Sequence, residues 1–392
     1  MGETDQLQLD PERQSQARRY ARIQRRLTIL ELFAGVFYLA LWLWTGWALD
    51  LQSALAPRAA GGALPFSPGW TIQLLLFAAA LGLPWLALTL PLSYYSGFVL
   101  PHHFGLSTQT RRDWISDQLK GGLLSAGLGI PLLLGLYALM RALPGLWWVV
   151  AAGAYSLVSV VLTALAPVLL MPIFFHFEPL DEGYAALAGR LKALAERHGT
   201  HVEGVYSMDM SRRTVAANAA LVGLGRTRRI VLGDTLLENF NPDEIETVLA
   251  HELGHHVHGD IPLGILIQSG LNFVLFYLAA LGLEWAASRL PLEGVFAPAG
   301  LPALALLFGF FGLMTMPLGN AYSRWRERLA DRFALQSTGL PQAFAMAMTR
   351  LANQNLADAN PPRWVLLLFG SHPPLRERIE TAHRFEQEAS EA

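Results

Sequence analysis

The sequence predicts a predominantly α-helical membrane protein with six spans and a polar domain that holds a small β-sheet. Two observations predict it. Of 392 residues, 53% are hydrophobic and only 15% are charged, whereas soluble domains carry about 25% charged residues. Six stretches also approach or exceed the roughly 20 apolar residues that a helical span needs: 27–49, 70–96, 121–143, 147–170, 261–287 and 298–318. A buried helix of a soluble protein can imitate one such run, but six together cannot be explained that way. Pro84, Pro131 and Pro167 fall inside spans, where neighbouring helices re-satisfy the freed backbone groups.

Basic residues set the orientation. Arg13, Arg18, Arg19, Arg22, Arg25 and Arg26 precede the first span, and the next connection holds only Arg58. Arg111, Arg112 and Lys120 mark the following one, and the turn at Arg141–Gly145 is nearly neutral. The segment 171–260 is again rich in Arg, and the loop near 289–296 is not. Both termini and the long polar segment are therefore expected on the cytosolic side, with a bacterial inner membrane as the setting. The predicted organisation is a membrane region at 1–176, a cytosolic domain from 177–260 plus 319–392, and a two-span hairpin at 261–318 inserted between them. The start, Met1–Asp10, is polar and acidic, so no cleavable signal peptide is expected. A net charge of -2 gives no case for nucleic acid, and the absence of Cys excludes thiolate chemistry.

Within the polar segment, Tyr184–His198 reads as an amphipathic helix ended by Gly199, and Val202–Met208 and Arg229–Leu232 read as short strands. Asn241-Pro242-Asp243-Glu244 reads as a helix start, with Asn241 as N-cap and Pro242 at the first helical position.

That helix carries His251-Glu252-Leu253-Gly254-His255, an HExxH pattern. Residues four apart share a helix face, so the two imidazoles can bind one Zn²⁺, with Glu252 placed as general base. A catalytic zinc needs a third protein ligand and one open position. Glu327, after the sixth span, supplies that ligand, and Asp331, four residues on, can fix the tautomer of a ligand His. An antiparallel pair of spans leaves and returns on one membrane face, so both halves of the site meet there. The duller reading, a solvated charged face, is assigned to Arg326, Arg328 and Arg332, and His256 and His258 are read as solvated or packing residues.

The sequence resembles the type I CAAX prenyl proteases, integral-membrane gluzincins. The resemblance runs through 104–110 with Trp114, Asp117 and Lys120, through Ser211–Thr214, Asn218-Ala219, Gly223-Leu224-Gly225 and Arg229–Leu236. It continues through His251–His255, Ser323–Asp331, and Ser371–Leu375 with Arg378. It implies a gluzincin-like zinc domain capping membrane helices around a chamber, one span fewer than in the best-known eukaryotic members. It implies one Zn²⁺ per chain on His251, His255 and Glu327, with Glu252 as base and Asp331 as partner of a ligand His. It further implies that Asn218 and Ala219 hold substrate backbone, that His372 stabilises the oxyanion, and that Arg378 supports the substrate region.

The expected reaction is endopeptidase cleavage of a peptide or protein, with a lipidated substrate implied by the resemblance alone. Extended substrate is expected to pair with an edge strand near Arg229–Leu232. Three other readings stand beside it: a heat-shock-type quality-control metalloprotease, an intramembrane protease, and an inactive peptide-binding protein with a structural zinc. The first usually has fewer spans and lacks the 104–110 match. The second would place HExxH inside an apolar span, whereas Asp243, Glu244 and Glu246 precede His251. Structural zinc sites are closed by four protein ligands, and three are found here.

Overall fold

A computed structural model describes residues 8–56, 67–223 and 225–391. Met1–Leu7, Arg58 with the rest of 57–66, and Leu224 lie outside the described residues, and with them the acidic N-terminus and part of the glycine motif. Six helices are long and apolar enough to cross a membrane: Pro11–Trp44, Pro68–His103, Arg111–Ala142, Trp147–Phe174, Asp260–Arg289 and Pro298–Thr338. Most of them outrun the apolar stretches read from the sequence, because helix continues past the hydrocarbon boundary.

The first span is α1 (Pro11–Trp44). It starts where the Asp10 carboxylate accepts the backbone N–H groups of Glu12 and Arg13, with Pro11 at the first helical position. The short α2 (Trp47–Leu55) packs against α1, the helix starting at Pro68 and the Pro298–Gly300 turn. There the Gln52 side chain accepts Ala299 N at 2.9 Å. The second span is α3 (Pro68–Tyr94), a π turn at Tyr95–Val99 and α4 (Leu100–His103). The third is α5 (Arg111–Ala142), and the fourth is α6 (Trp147–Leu165), a second π turn and α7 (Met171–Phe174). Each π turn ends just ahead of a proline, Pro101 or Pro172, which has no N–H to continue the ladder. Outward-facing Phe33, Phe37, Trp44, Leu83 and Leu123 are all exposed. So large an apolar surface is stable against lipid and not against water.

The polar domain begins with β1 (Phe177–Pro179), α8 (Ala185–Arg197) and β2 (Gly204–Met208). It continues with β3 (Ala219–Val222), β4 (Arg229–Gly233) and α9 (Asp234–Asn239). The sheet order is β1-β2-β4-β3, with β2 and β4 parallel and the outer pairs antiparallel. This corrects one expectation: β4 lies inside the sheet, so Arg229–Leu232 has no free edge. The edge strands are β1 and β3, and the edge beside the HExxH helix is that of β3, whose Ala219 pairs with Leu232 and whose Val222 pairs with Arg229.

The HExxH helix is α10 (Pro242–Val257), entered through a full capping box in which Asn241 and Glu244 each accept the other's backbone N–H. The fifth span, α11 (Asp260–Arg289), follows directly, and α12 (Leu301–Thr338) returns as the sixth span and runs on into the polar domain. The chain ends with α13 (Pro341–Gln354), α14 (Arg363–Phe369) and α15 (Leu375–Glu391). Ile245, Leu249 and Leu253 of α10 share one core with Leu191 of α8, Ile230 of β4, Ala334 of α12 and Phe344 of α13.

Within that core α10 and α12 approach closely. A Cβ built on Gly254 would lie 3.1 Å from Ala330 Cα and 3.2 Å from the Phe333 ring. Because Ala330 sits between Glu327 and Asp331, the missing side chain at 254 lets both carboxylates meet the histidine face. Gly254→Val is therefore expected to cost about 1–3 kcal/mol through overpacking. Thermal unfolding of the detergent-solubilised protein, compared with Gly254→Ala, checks this.

Candidate metal centre

HExxH spacing on α10 puts both imidazoles on one face, and α12 lays Glu327 across them. One ligand atom from each of His251, His255 and Glu327 lies within 4.8 Å of the other two. The Nε2 atoms of the two rings face each other at 3.3 Å. Glu327 Oε2 lies 3.2 Å from His251 Nε2, and Oε1 lies 3.5 Å from His255 Nε2. Off the hydrogen-bonding direction of that imidazole, the buried Oε2 has no hydrogen-bond partner among the described residues.

The far side of each ring explains why this is a cation site. His251 Nδ1 is 2.8 Å from Asp331 Oδ1, and His255 Nδ1 is 2.6 Å from Asp260 Oδ2. Each carboxylate holds the ring proton on Nδ1, so the Nε2 lone pairs are left facing each other and a carboxylate oxygen. Acceptors this close are relieved by a positive charge between them, a metal ion or, in the metal-free protein, the extra proton of His251. Two imidazoles and a carboxylate are a donor set that zinc accepts, so the residues fit a metal.

The two supporting carboxylates are themselves anchored. Arg378 binds Asp331 through Nε at 2.9 Å and Nη2 at 2.6 Å, and stands 3.2 Å from His251 Nδ1. Arg326 pairs with Asp260 and donates to His258 O at 3.1 Å. Gly259, at φ +65°, makes the turn that brings Asp260 back beside His255. Asp260 and Arg326 are the functional residues that sequence reasoning missed. Arg326, read as solvated, is 8% exposed. Arg378 is equally buried, with its fork occupied by Asp331.

The other expected residues fall around this cluster. Glu252 is half-buried beside the histidines and joins no hydrogen bond or ion pair among the described residues. His372 is exposed, with Nε2 3.3 Å from Glu327 Oε1 and Nδ1 2.8 Å from Ser371 Oγ. Its loop hangs from α12: Asn320 donates to Leu368 O at 2.6 Å and Arg324 to Leu366 O at 2.8 Å. Asn218 and Ala219 stand at the start of the free edge, and His256 of α10 approaches Leu221 O of that strand at 3.4 Å. His258 is exposed, as are Arg332 and Arg328, the last paired with Glu377.

Burial pushes the Glu252 carboxyl above the ordinary range. For His251, burial and Arg378 oppose the imidazolium, but Asp331 and Glu327 outweigh them and lift it to about 9.

The profile of peptidase family M48 matches residues 184–386, and that of the CAAX prenyl protease N-terminal region, described as five membrane helices, matches residues 4–176. The chain belongs to peptidase family M48. A Bacillus subtilis relative, described as an uncharacterized metalloprotease, is 31% identical over 80% of this chain and 74% of its own. CAAX prenyl protease 1 of Saccharomyces cerevisiae is 32% identical over 74% of this chain and 67% of its own. The crystal structure of S. mikatae Ste24p superposes with a TM-score of 0.78 at 26% identity, covering 95% of this chain and 90% of that one. This M48 chain is thus a multi-span membrane metalloprotease of the CAAX prenyl protease type. Within 4–176 it shows four long helices among the described residues, where the family description counts five.

Two outcomes follow for the M48 site. Asp260→Ala is expected to weaken metal binding about 10–100-fold, and Asp260→Asn, which keeps an acceptor oxygen, by less. Competition with a chromophoric chelator measures both. In the metal-stripped protein the His251 proton, held up to about 9, must leave before metal enters. Affinity should therefore rise with pH from neutrality toward that value. A raised pKa makes the proton-bound contribution to stability full below the ordinary value near 6.5 and lost as pH climbs through about 9. Calorimetric metal titrations in buffers of differing ionisation enthalpy count the released proton.

Proposed function

We propose that this chain is a zinc endopeptidase that cleaves peptides at the cytosolic surface of a bacterial inner membrane. One zinc would be held by His251, His255 and Glu327. The observation that carries this reading is the pair of imidazole Nε2 atoms facing each other at 3.3 Å across Glu327. A bound zinc supplies Lewis acidity, polarising the scissile carbonyl and bringing the pKa of a coordinated water to about 7.

The side chains do the rest. Glu252 accepts the proton of the attacking water and then passes it to the leaving amine. Its burial raises its pKa, which suits a group that must both take and give a proton near neutrality. His372, oriented by Ser371, offers Nε2–H to the oxygen on which charge develops. Asp331 and Asp260 hold the imidazoles in the tautomer that presents Nε2, and Arg378 and Arg326 hold those carboxylates. The free edge of β3 accepts an extended substrate as an added strand, with Asn218 and Ala219 at its start.

The basic residues in the opening turns of α1 and α5, and those of the segment after α7, support the cytosolic placement. Names of relatives support a prenylated C-terminal peptide as one substrate class. The match of the N-terminal region favours this over a quality-control protease of the heat-shock type. Three protein ligands with a free base beside them favour it over an inert structural zinc.

Glu252→Gln is expected to keep its zinc and lose at least about 10²–10⁴-fold in turnover. The check is zinc content by elemental analysis alongside cleavage of quenched peptides, with and without a farnesylated cysteine. Normal cleavage by this variant would sink the mechanism. Equal rates on the two peptide types would remove the lipid from the substrate definition.

A further inference from the structure

We propose that Asn355, just past the end of α13, is a positioning residue that sets the substrate-binding edge of the sheet. This rests on the reading of β3 as the substrate strand. The Asn355 carboxamide takes both polar groups of one backbone unit: Oδ1 accepts Ala217 N at 2.9 Å and Nδ2 donates to Ala217 O at 3.2 Å. A side chain thus does for Ala217 what a neighbouring strand does for a ladder residue. The next two residues are Asn218 and Ala219, where the free edge begins.

The residues leading to that edge are held from every side. Gln354 donates to Val215 O at 2.7 Å, and Thr235 Oγ1 donates to Ala216 O at 2.7 Å. From the loop between α4 and α5, Leu106 O accepts Val215 N at 3.2 Å and Thr214 Oγ1 at 2.9 Å. Asn218 O accepts Gly233 N at 2.9 Å, locking the start of β3 to the end of β4. Of these holds, the one on Ala217 comes from Asn355 alone.

Asn355 is itself placed by an unusual backbone. The following residue, Leu356, has φ +49°, and no other non-glycine among the described residues is positive. A left-handed Leu persists only where its surroundings over-determine it. Here it is 2% exposed and packed with Ala17 of α1 and Leu106. Just beyond, Gln14 of α1 donates to Ala357 O at 3.2 Å and accepts Ala359 N at 3.1 Å. The first span therefore fixes the 356–359 turn, the turn fixes Asn355, and Asn355 fixes the strand edge. The metal cluster is not on this path, so the role separates from metal binding.

The test compares Asn355→Ala with Met348→Ala, a core change in α13 that is 2% exposed and removes none of the hydrogen bonds at 214–218. Asn355→Ala should raise KM about tenfold for a peptide long enough to lie along β3, with kcat within about twofold. Cleavage of a peptide spanning only the scissile bond, and zinc affinity, should stay at wild-type values. Hydrogen exchange should quicken across 217–222 and not across 242–257. Equal KM changes in both variants, or unchanged exchange at 217–222, overturns the proposal. If the wild type itself fails to distinguish the long from the short peptide, the strand-edge reading falls, and the exchange result still decides the role of Asn355. Should Asn355→Ala fail to fold, Asn355→Ser, which keeps one hydrogen-bonding group, carries the same exchange criterion.

Discussion

Two imidazole nitrogens held 3.3 Å apart, each ring's proton fixed to a carboxylate on its far side, repel one another unless a cation lies between them. The surrounding polar domain imposes that arrangement. Asp331 comes from α12 and Asp260 from the first residue of α11, and each is paired with an arginine. Buried charges of this kind are tolerable only when matched and fully hydrogen-bonded. The four charges close into two pairs around the histidines, and Glu327 brings the remaining negative charge to the middle.

Helix α12 concentrates these duties. In one continuous helix it carries Asn320 and Arg324, which suspend the His372 loop, then Arg326, Glu327 and Asp331. Arg326, Glu327 and Asp331 reach α10 and the turn after it because Gly254 and Ala330 let the two axes draw close, while Asn320 and Arg324 turn to α14. The sheet shares the core of α10 and is further held through the 104–108 loop on one side and α13 on the other. Arg213, paired with Asp117 at 2.9 Å, ties the same region back to α5. The metal cluster and the β3 edge thus have partly different supports within one domain.

Much of this was legible in the sequence. Six spans follow from hydropathy, the α10 cap from Asn241-Pro242, and the metal cluster from four-residue spacing repeated on two helices. What stayed hidden has physical causes. Asp260 lies five residues past His255, beyond the helix end, and a left-handed glycine brings it back; helical spacing cannot show that. Arg326 sits among alternating charges that read as solvated, and only packing against the α10–α11 turn buries it. Ala219–Val222 has little strand preference of its own and becomes a strand because β4 offers it an edge. For the same reason β4 was placed at the margin: a strand's rank in a sheet is set by its neighbours, not by its residues.

The insertion of α11 and α12 between the parts of the site also decides what can be made of this enzyme. Asp260, which steadies one histidine, opens the outgoing span, and Glu327 lies on the helix that returns. Trimming the hydrophobic hairpin separates α10 and Asp260 from the stretch of α12 that carries Glu327 and Asp331. The bilayer is in that sense a structural component of the active centre, and any miniaturised version must replace the hairpin with a scaffold that returns the chain at the same spacing.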